Sequence, residues 1–128
     1  MASPATASEQ RDAFVGRLFE SAINMMEICC LYVGDRLGLY RALRAIGPAT
    51  AAELAGAAKV DARYAREWLE QQAVAGVLET DATADEGMRR YSLPAGHADV
   101  LLDADSLSWF APVEIGSASC RERVYVLV

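Results

Sequence analysis

Apolar side chains recur at helical spacing from residue 10 to about residue 33, and no proline interrupts them. One stripe runs through Phe14, Leu18, Ala22, Met25, Cys29 and Tyr32, and a second through Val15, Phe19, Ile23, Met26 and Cys30. Two adjacent stripes make a face wider than a surface helix needs to cover one side of a small core. The pattern therefore predicts a long first helix that packs on its own domain and on something else as well. Ser8 and Glu9, with Asp12 in the early turns, suit its positive N-terminal end. Residues 1–9 read as a frayed terminus.

Gly34-Asp35 breaks the periodicity, and residues 36–43 predict a second, short helix that Gly47-Pro48 stops. Thr50 stands three residues before Glu53, the spacing of a capping box, so a third helix should occupy 51–58 with Leu54 as its anchor. Lys59-Val60-Asp61 forms the turn, and Asp61 can cap a fourth helix from 62 to about 75. Its inward side is expected to hold Tyr64, Trp68, Leu69 and Ala73, with Arg63, Arg66, Glu67 and Glu70 toward water. Gly76 favours the left-handed turn that ends a helix. Residues 77–80 and 89–93 then predict two strands around a polar tip at 81–87, a hairpin. Beyond Pro94, residues 96–102 and 106–110 predict short helices. Two helices joined by a tight turn and followed by a hairpin make a winged helix-turn-helix, so the fold class is mainly α with a long N-terminal helix and a small two-stranded wing.

Length and charge narrow the function. A chain of 128 residues has room for one core. Its 18 Asp and Glu outnumber 12 Lys and Arg, for a formal charge of -6. Between Thr50 and Leu93 five basic residues (Lys59, Arg63, Arg66, Arg89, Arg90) meet eight acidic ones (Glu53, Asp61, Glu67, Glu70, Glu79, Asp81, Asp85, Glu86). Duplex binding works by neutralising phosphates, so this balance speaks against nucleic acid even though Arg63, Arg66 and Gln71 are residue types that read bases. The longest apolar run, residues 22–33, is short for a membrane span and contains Asn24 and Glu27. Nor does the opening have the order of a secretory signal. A cytoplasmic protein with no membrane contact is expected, with Cys29, Cys30 and Cys120 as reduced thiols.

Catalysis has little to work with. His97 is the single histidine, so a two-histidine metal site is excluded, and it reads as a polar residue in the first turn of a helix. Ser92, His97 and Asp99 lack a nucleophile elbow. Asp99, Asp103 and Asp105 lack calcium-loop spacing and read as a solvated, helix-capping cluster.

Several phrases together resemble one known module. Leu37-Gly-Leu-Tyr-Arg-Ala-Leu43, Gly47-Pro-Ala-Thr-Ala-Ala-Glu-Leu-Ala55 and Arg63-Tyr-Ala-Arg-Glu-Trp-Leu69 with Ala75-Gly-Val-Leu78 resemble the N-terminal winged-helix domain of bacterial S-adenosylmethionine-dependent methyltransferases, an actinobacterial group in particular. Tyr91-Ser-Leu-Pro-Ala-Gly-His97 and Asp105-Ser-Leu-Ser-Trp-Phe-Ala-Pro112 are similar to the same group. The resemblance implies a dimerisation and substrate-lid domain, residues 10–112, of an enzyme that methylates a small molecule. It implies a homodimer, with Phe14, Leu18, Phe19, Met25, Met26 and Tyr32 as dimer or lid residues. S-adenosylmethionine is then the cofactor of the full-length enzyme, bound on a Rossmann-like domain and not by this chain. Val113-Glu-Ile-Gly-Ser-Ala-Ser-Cys120 imitates the start of a cofactor turn, but Ala118 and Cys120 stand where close approach favours glycine. Residues 114–124 resemble translated sequencing adapter. Residues 113–128 are therefore expected to be a non-native tail that replaces the catalytic domain. Catalytic, cofactor-binding and metal residues are expected to be absent from the chain. The alternative is a small winged-helix transcription regulator; a free-standing interaction module is a weaker third.

Overall fold

The computed structural model describes residues 5–81 and 85–110. Five helices come in the order α1 (Ala7–Arg36), α2 (Leu39–Ile46), α3 (Ala51–Ala58), α4 (Ala62–Val74) and α5 (Ala95–Leu102). Strands β1 (Glu79–Thr80) and β2 (Tyr91–Ser92) lie between α4 and α5 and pair antiparallel, Glu79 opposite Ser92 and Thr80 opposite Tyr91. This is the expected winged helix-turn-helix, with a wing shorter than the pattern suggested. Ala49, just before α3, exchanges two backbone hydrogen bonds with Tyr91, so the link between α2 and α3 adds a third rung to the wing.

Local chemistry explains most boundaries. Thr50 caps α3 as the sequence required: its Oγ1 accepts from the Glu53 N–H at 3.3 Å, and the Glu53 carboxylate accepts from the Thr50 N–H at 2.8 Å. The Asp61 carboxylate accepts from the N–H groups of Arg63 and Tyr64 at the start of α4. Gly76, at φ 74°, turns the chain out of α4. The beginning of α1 differs from expectation, since a second capping box, Thr6 with Glu9, starts the helix at Ala7.

The end of α1 differs more. Gly34-Asp35 was expected to interrupt the helix, yet α1 continues to Arg36 and the break falls at Gly38, which adopts φ 69°. Gly34 serves close packing instead. A Cβ there would lie 2.5 Å from both the Trp68 and the Tyr40 rings, so glycine lets α1 cross directly over them.

The core gathers around that crossing. Leu39, Tyr40 and Leu43 of α2, Leu54 of α3, Trp68 and Leu69 of α4, Leu78, Tyr91 and Leu101 are all buried. Tyr40 meets Trp68 edge to face at 5.0 Å between centroids, and its hydroxyl donates to the Gln72 side-chain oxygen. The inward side of α4 is Ala65, Trp68, Leu69 and Gln72, whereas Tyr64, expected inside, is 70% exposed. The true face follows i, i+3, i+4, i+7 from Ala65, and Tyr64 lies one residue, about 100° of helix, away from it. Ala65 is small enough for α3 and α4 to approach, and the buried amide of Gln72 is satisfied on both sides, its oxygen accepting from the Tyr40 hydroxyl and its Nε2 donating to the Gln71 Oε1 at 2.6 Å.

Residues 106–110 do not form the expected helix. Two turns, Ser106 N–H to the Asp103 carbonyl and Trp109 N–H to the Ser106 carbonyl, bend the chain so that the Phe110 N–H bonds the Val100 carbonyl. The tip of the predicted hairpin falls partly outside the described residues, and residues 113–128 lie wholly outside them.

Candidate functional site

Helix α1 is a capped rod of 30 residues, about 45 Å long at 1.5 Å per residue. Its last third rests on the domain. The Trp68 indole Nε1 donates to the Cys30 carbonyl at 3.0 Å, Leu31 packs on the core, and Gly34 is buried. Burial raises the Cys30 thiol pKa above its ordinary value, with Cys29 and Glu27 adding to the effect. Every residue from Ala7 to Met26 is exposed. Two-thirds of the helix therefore projects from the domain with its apolar residues uncovered.

The candidate residues sit on this projecting part and at its root. Phe14, Leu18, Met25 and Met26 are each about half exposed, and Phe19 is 68% exposed. Tyr32 is half-buried and has the Arg36 guanidinium 5.9 Å from its ring centroid; Arg17 lies 5.0 Å from that of Phe14. Phe19 and Met26 face a different neighbour from the others. With Ala22 and Ile23 they form one wall of a groove of about 590 Å³, whose other wall is Gln71, Val74 and Ala75 of α4. Glu27, Glu67 and Glu70 border it. Glu67 is paired with Arg63 at 3.0 Å, while the Glu70 Oε1 has Arg66 at 3.9 Å and makes no hydrogen bond. Sequence reasoning named the α1 wall of this groove but not Val74, which is 91% exposed because it lies past the inward face of α4.

The surface that reads DNA in helix-turn-helix regulators carries paired charges here. Arg63 and Arg66 are tied to Glu67 and Glu70 one turn along α4, and Arg90 of the wing binds the Pro48 carbonyl at 2.7 Å and Glu53 at 3.0 Å. His97, in the first turn of α5, donates from Nδ1 to the Val77 carbonyl at 2.8 Å and so fastens α5 to the base of the wing. Asp103 ends α5 and accepts from the Asp105 N–H at 3.0 Å, a capping arrangement. Among the described residues no group of His, Cys, Asp and Glu is placed to hold a metal ion, and no helix is long and apolar enough to cross a membrane.

Helix order, wing and core define a winged helix-turn-helix domain whose exposed chemistry is apolar rather than cationic. The chain belongs to the Rv2258c-like winged HTH domain family, whose model matches residues 23–102. Solved structures of methyltransferases share the fold. PigF with SAH superposes at a TM-score of 0.62 with 24% identity, over 79% of this chain and 28% of that one. The N,N-8-amino-8-demethyl-D-riboflavin dimethyltransferase RosA from Streptomyces davawensis gives 0.56 and 26%, over 78% and 26%. CalO1, a methyltransferase in calicheamicin biosynthesis in its SAH-bound form, gives 0.53 and 27%, over 81% and 27%. Comparison with curated proteins gives no match. The family and these neighbours agree with the resemblance read from the sequence: this is the winged-helix module that such methyltransferases carry. The chain spans less than a third of the length of each.

Proposed function

We propose that this chain is the dimerisation and substrate-lid domain of an S-adenosylmethionine-dependent enzyme that methylates a small molecule. The observation that carries the reading is the projecting part of α1, with Phe14, Leu18, Phe19, Met25 and Met26 in water. Most helical stability in proteins comes from packing an apolar face. Such an arm is explained by a second copy. The similarity to RosA and CalO1 supports the methyltransferase context. The cofactor would sit on a Rossmann-like domain following about residue 112, and the whole enzyme would work in the cytoplasm without nucleic acid or membrane contact. Pairing of Arg63 and Arg66 within α4 supports the absence of duplex binding.

Analytical ultracentrifugation of the chain tests the central claim. A dimer is expected at tens of micromolar, roughly the range of a weak interface by affinity arithmetic; a monomer there overturns the reading. In calorimetry, S-adenosylmethionine should give no saturable heat with this chain alone, because cofactor recognition needs the strand, turn and helix of the second domain. Saturable binding would place a cofactor site within these residues.

A further inference from the structure

The arm carries more order than two apolar stripes. Arg11, Phe14, Leu18, Ser21, Met25, Ile28 and Tyr32 follow one another at alternating spacings of three and four, the seam of a heptad repeat. Glu9, Asp12, Glu20 and Glu27 all fall off this seam. The side of α1 that meets its own domain, marked by Cys30, Leu31 and Gly34, lies roughly opposite it. Along the projecting part a second helix therefore meets the seam on an exposed side, while Ile28 and Tyr32 at the root are already half-buried.

We propose, building on the dimer reading above, that two copies of α1 pair along this seam as an antiparallel coiled coil. The register places Leu18 opposite Ile28 of the second copy, and Ser21 opposite its Met25. Size and charge select this arrangement. The small Ser21 meets the long Met25, and two aromatic rings, Phe14 and Tyr32, share a layer. Arg11 comes level with Asp35 of the second copy, a carboxylate that now meets Arg41 at 3.4 Å. A parallel pair would set Arg11 against Arg11 in the seam, and would bring both domains, attached at the same end of α1, to one end of the seam. Antiparallel pairing lays each projecting part beside the root of the other, and aligns the helix dipoles favourably. The flank with Val15, Ala22 and Cys29 is apolar, whereas Gln10, Arg17 and Asn24 line the other. Phe19 and Met26 lie outside the seam and remain over the groove beside α4.

Disulfide trapping tests the register, in a chain whose three native cysteines are replaced by serine. Ser21→Cys with Met25→Cys should give a covalent dimer on mild oxidation, and Ser21→Cys alone should not. Ready cross-linking of Ser21→Cys alone marks a parallel pair and overturns the proposal. So does a sedimenting dimer that the double variant cannot trap. Separately, Leu18→Asp should raise the dimer dissociation constant about tenfold or more, and Met26→Asp markedly less; the reverse order moves the interface to the groove. A wild-type chain that sediments as a monomer removes the dimer itself, and that failure is distinct from a wrong register.

Discussion

The root of α1 and its projecting part are one continuous helix under opposite conditions. Around residues 30–34 the helix is held by an indole hydrogen bond, a glycine crossing and the packed rings of Tyr40 and Trp68. Between Ala7 and Met26 every residue is exposed, although Phe14, Leu18, Phe19, Ile23, Met25 and Met26 there are as apolar as the side chains of the core, and the end of α4 comes alongside across the groove at Phe19–Met26. The difference separates two uses of hydrophobic residues. Inside the domain, Leu54 and Leu69 are fully buried in the core; on the arm, Phe14 and Leu18 stay about half exposed and belong to no part of that core.

Truncation at the two places should break or sharpen this contrast. Leu69→Ala opens a cavity in the core and should lower unfolding free energy by about 2–5 kcal/mol, read from urea denaturation. Phe19→Ala should change it by less than about 0.5 kcal/mol, because an exposed ring loses little on truncation. Comparable losses would mean that the arm is part of the folding unit.

Glycines extend the comparison at a smaller scale. Gly34→Ala forces a methyl group into Trp68 and Tyr40, and about 1–3 kcal/mol of stability should be lost. Gly16→Ala has nothing within 4 Å and should raise the helicity of the arm, since alanine is favoured over glycine in a helix by about 1 kcal/mol. Thermal melts followed by circular dichroism read both. A neutral Gly34→Ala would show that the crossing is looser than its geometry.

The smallest effect concerns pH. Glu53 is held below its ordinary value near 4.5, first by the Thr50 backbone N–H and then by Arg90. A carboxylate depressed on folding contributes stability that is present above its unfolded value and is lost as pH falls through the folded one. The melting temperature should therefore decline below about pH 4.5, and Glu53→Gln should flatten part of that decline. An unchanged profile in the variant would assign the loss to other carboxylates, the similarly depressed Glu9 first among them.

What could be read in the sequence was what local chemistry decides. The Thr50–Glu53 box, the Asp61 cap and the Gly76 turn each need a few adjacent residues, and each stands where the spacing put it. The errors arose where a distant partner decides. Gly34 looks like a helix breaker until Trp68 is known to lie above it. Tyr64 looks like a core aromatic until the small Ala65 takes the inward line. Residues 106–110 have apolar spacing but are held by turn hydrogen bonds to Asp103 and Val100. The candidate residues of α1 were visible because their periodicity is intrinsic to one helix. Val74 and the acidic border of the groove were not, since a second helix supplies them.

The crossing of α1 over Trp68 also has a mechanical consequence. With its fulcrum near Gly34, the helix is a lever about 40 Å long, and each degree of tilt there displaces the Thr6 end by about 0.7 Å. Any device that aligns two such levers depends on the stiffness of the fulcrum more than on the side chains at the tip. The indole bond to the Cys30 carbonyl and the close crossing at Gly34, far from every residue of the proposed seam's outer half, are the contacts that hold this fulcrum.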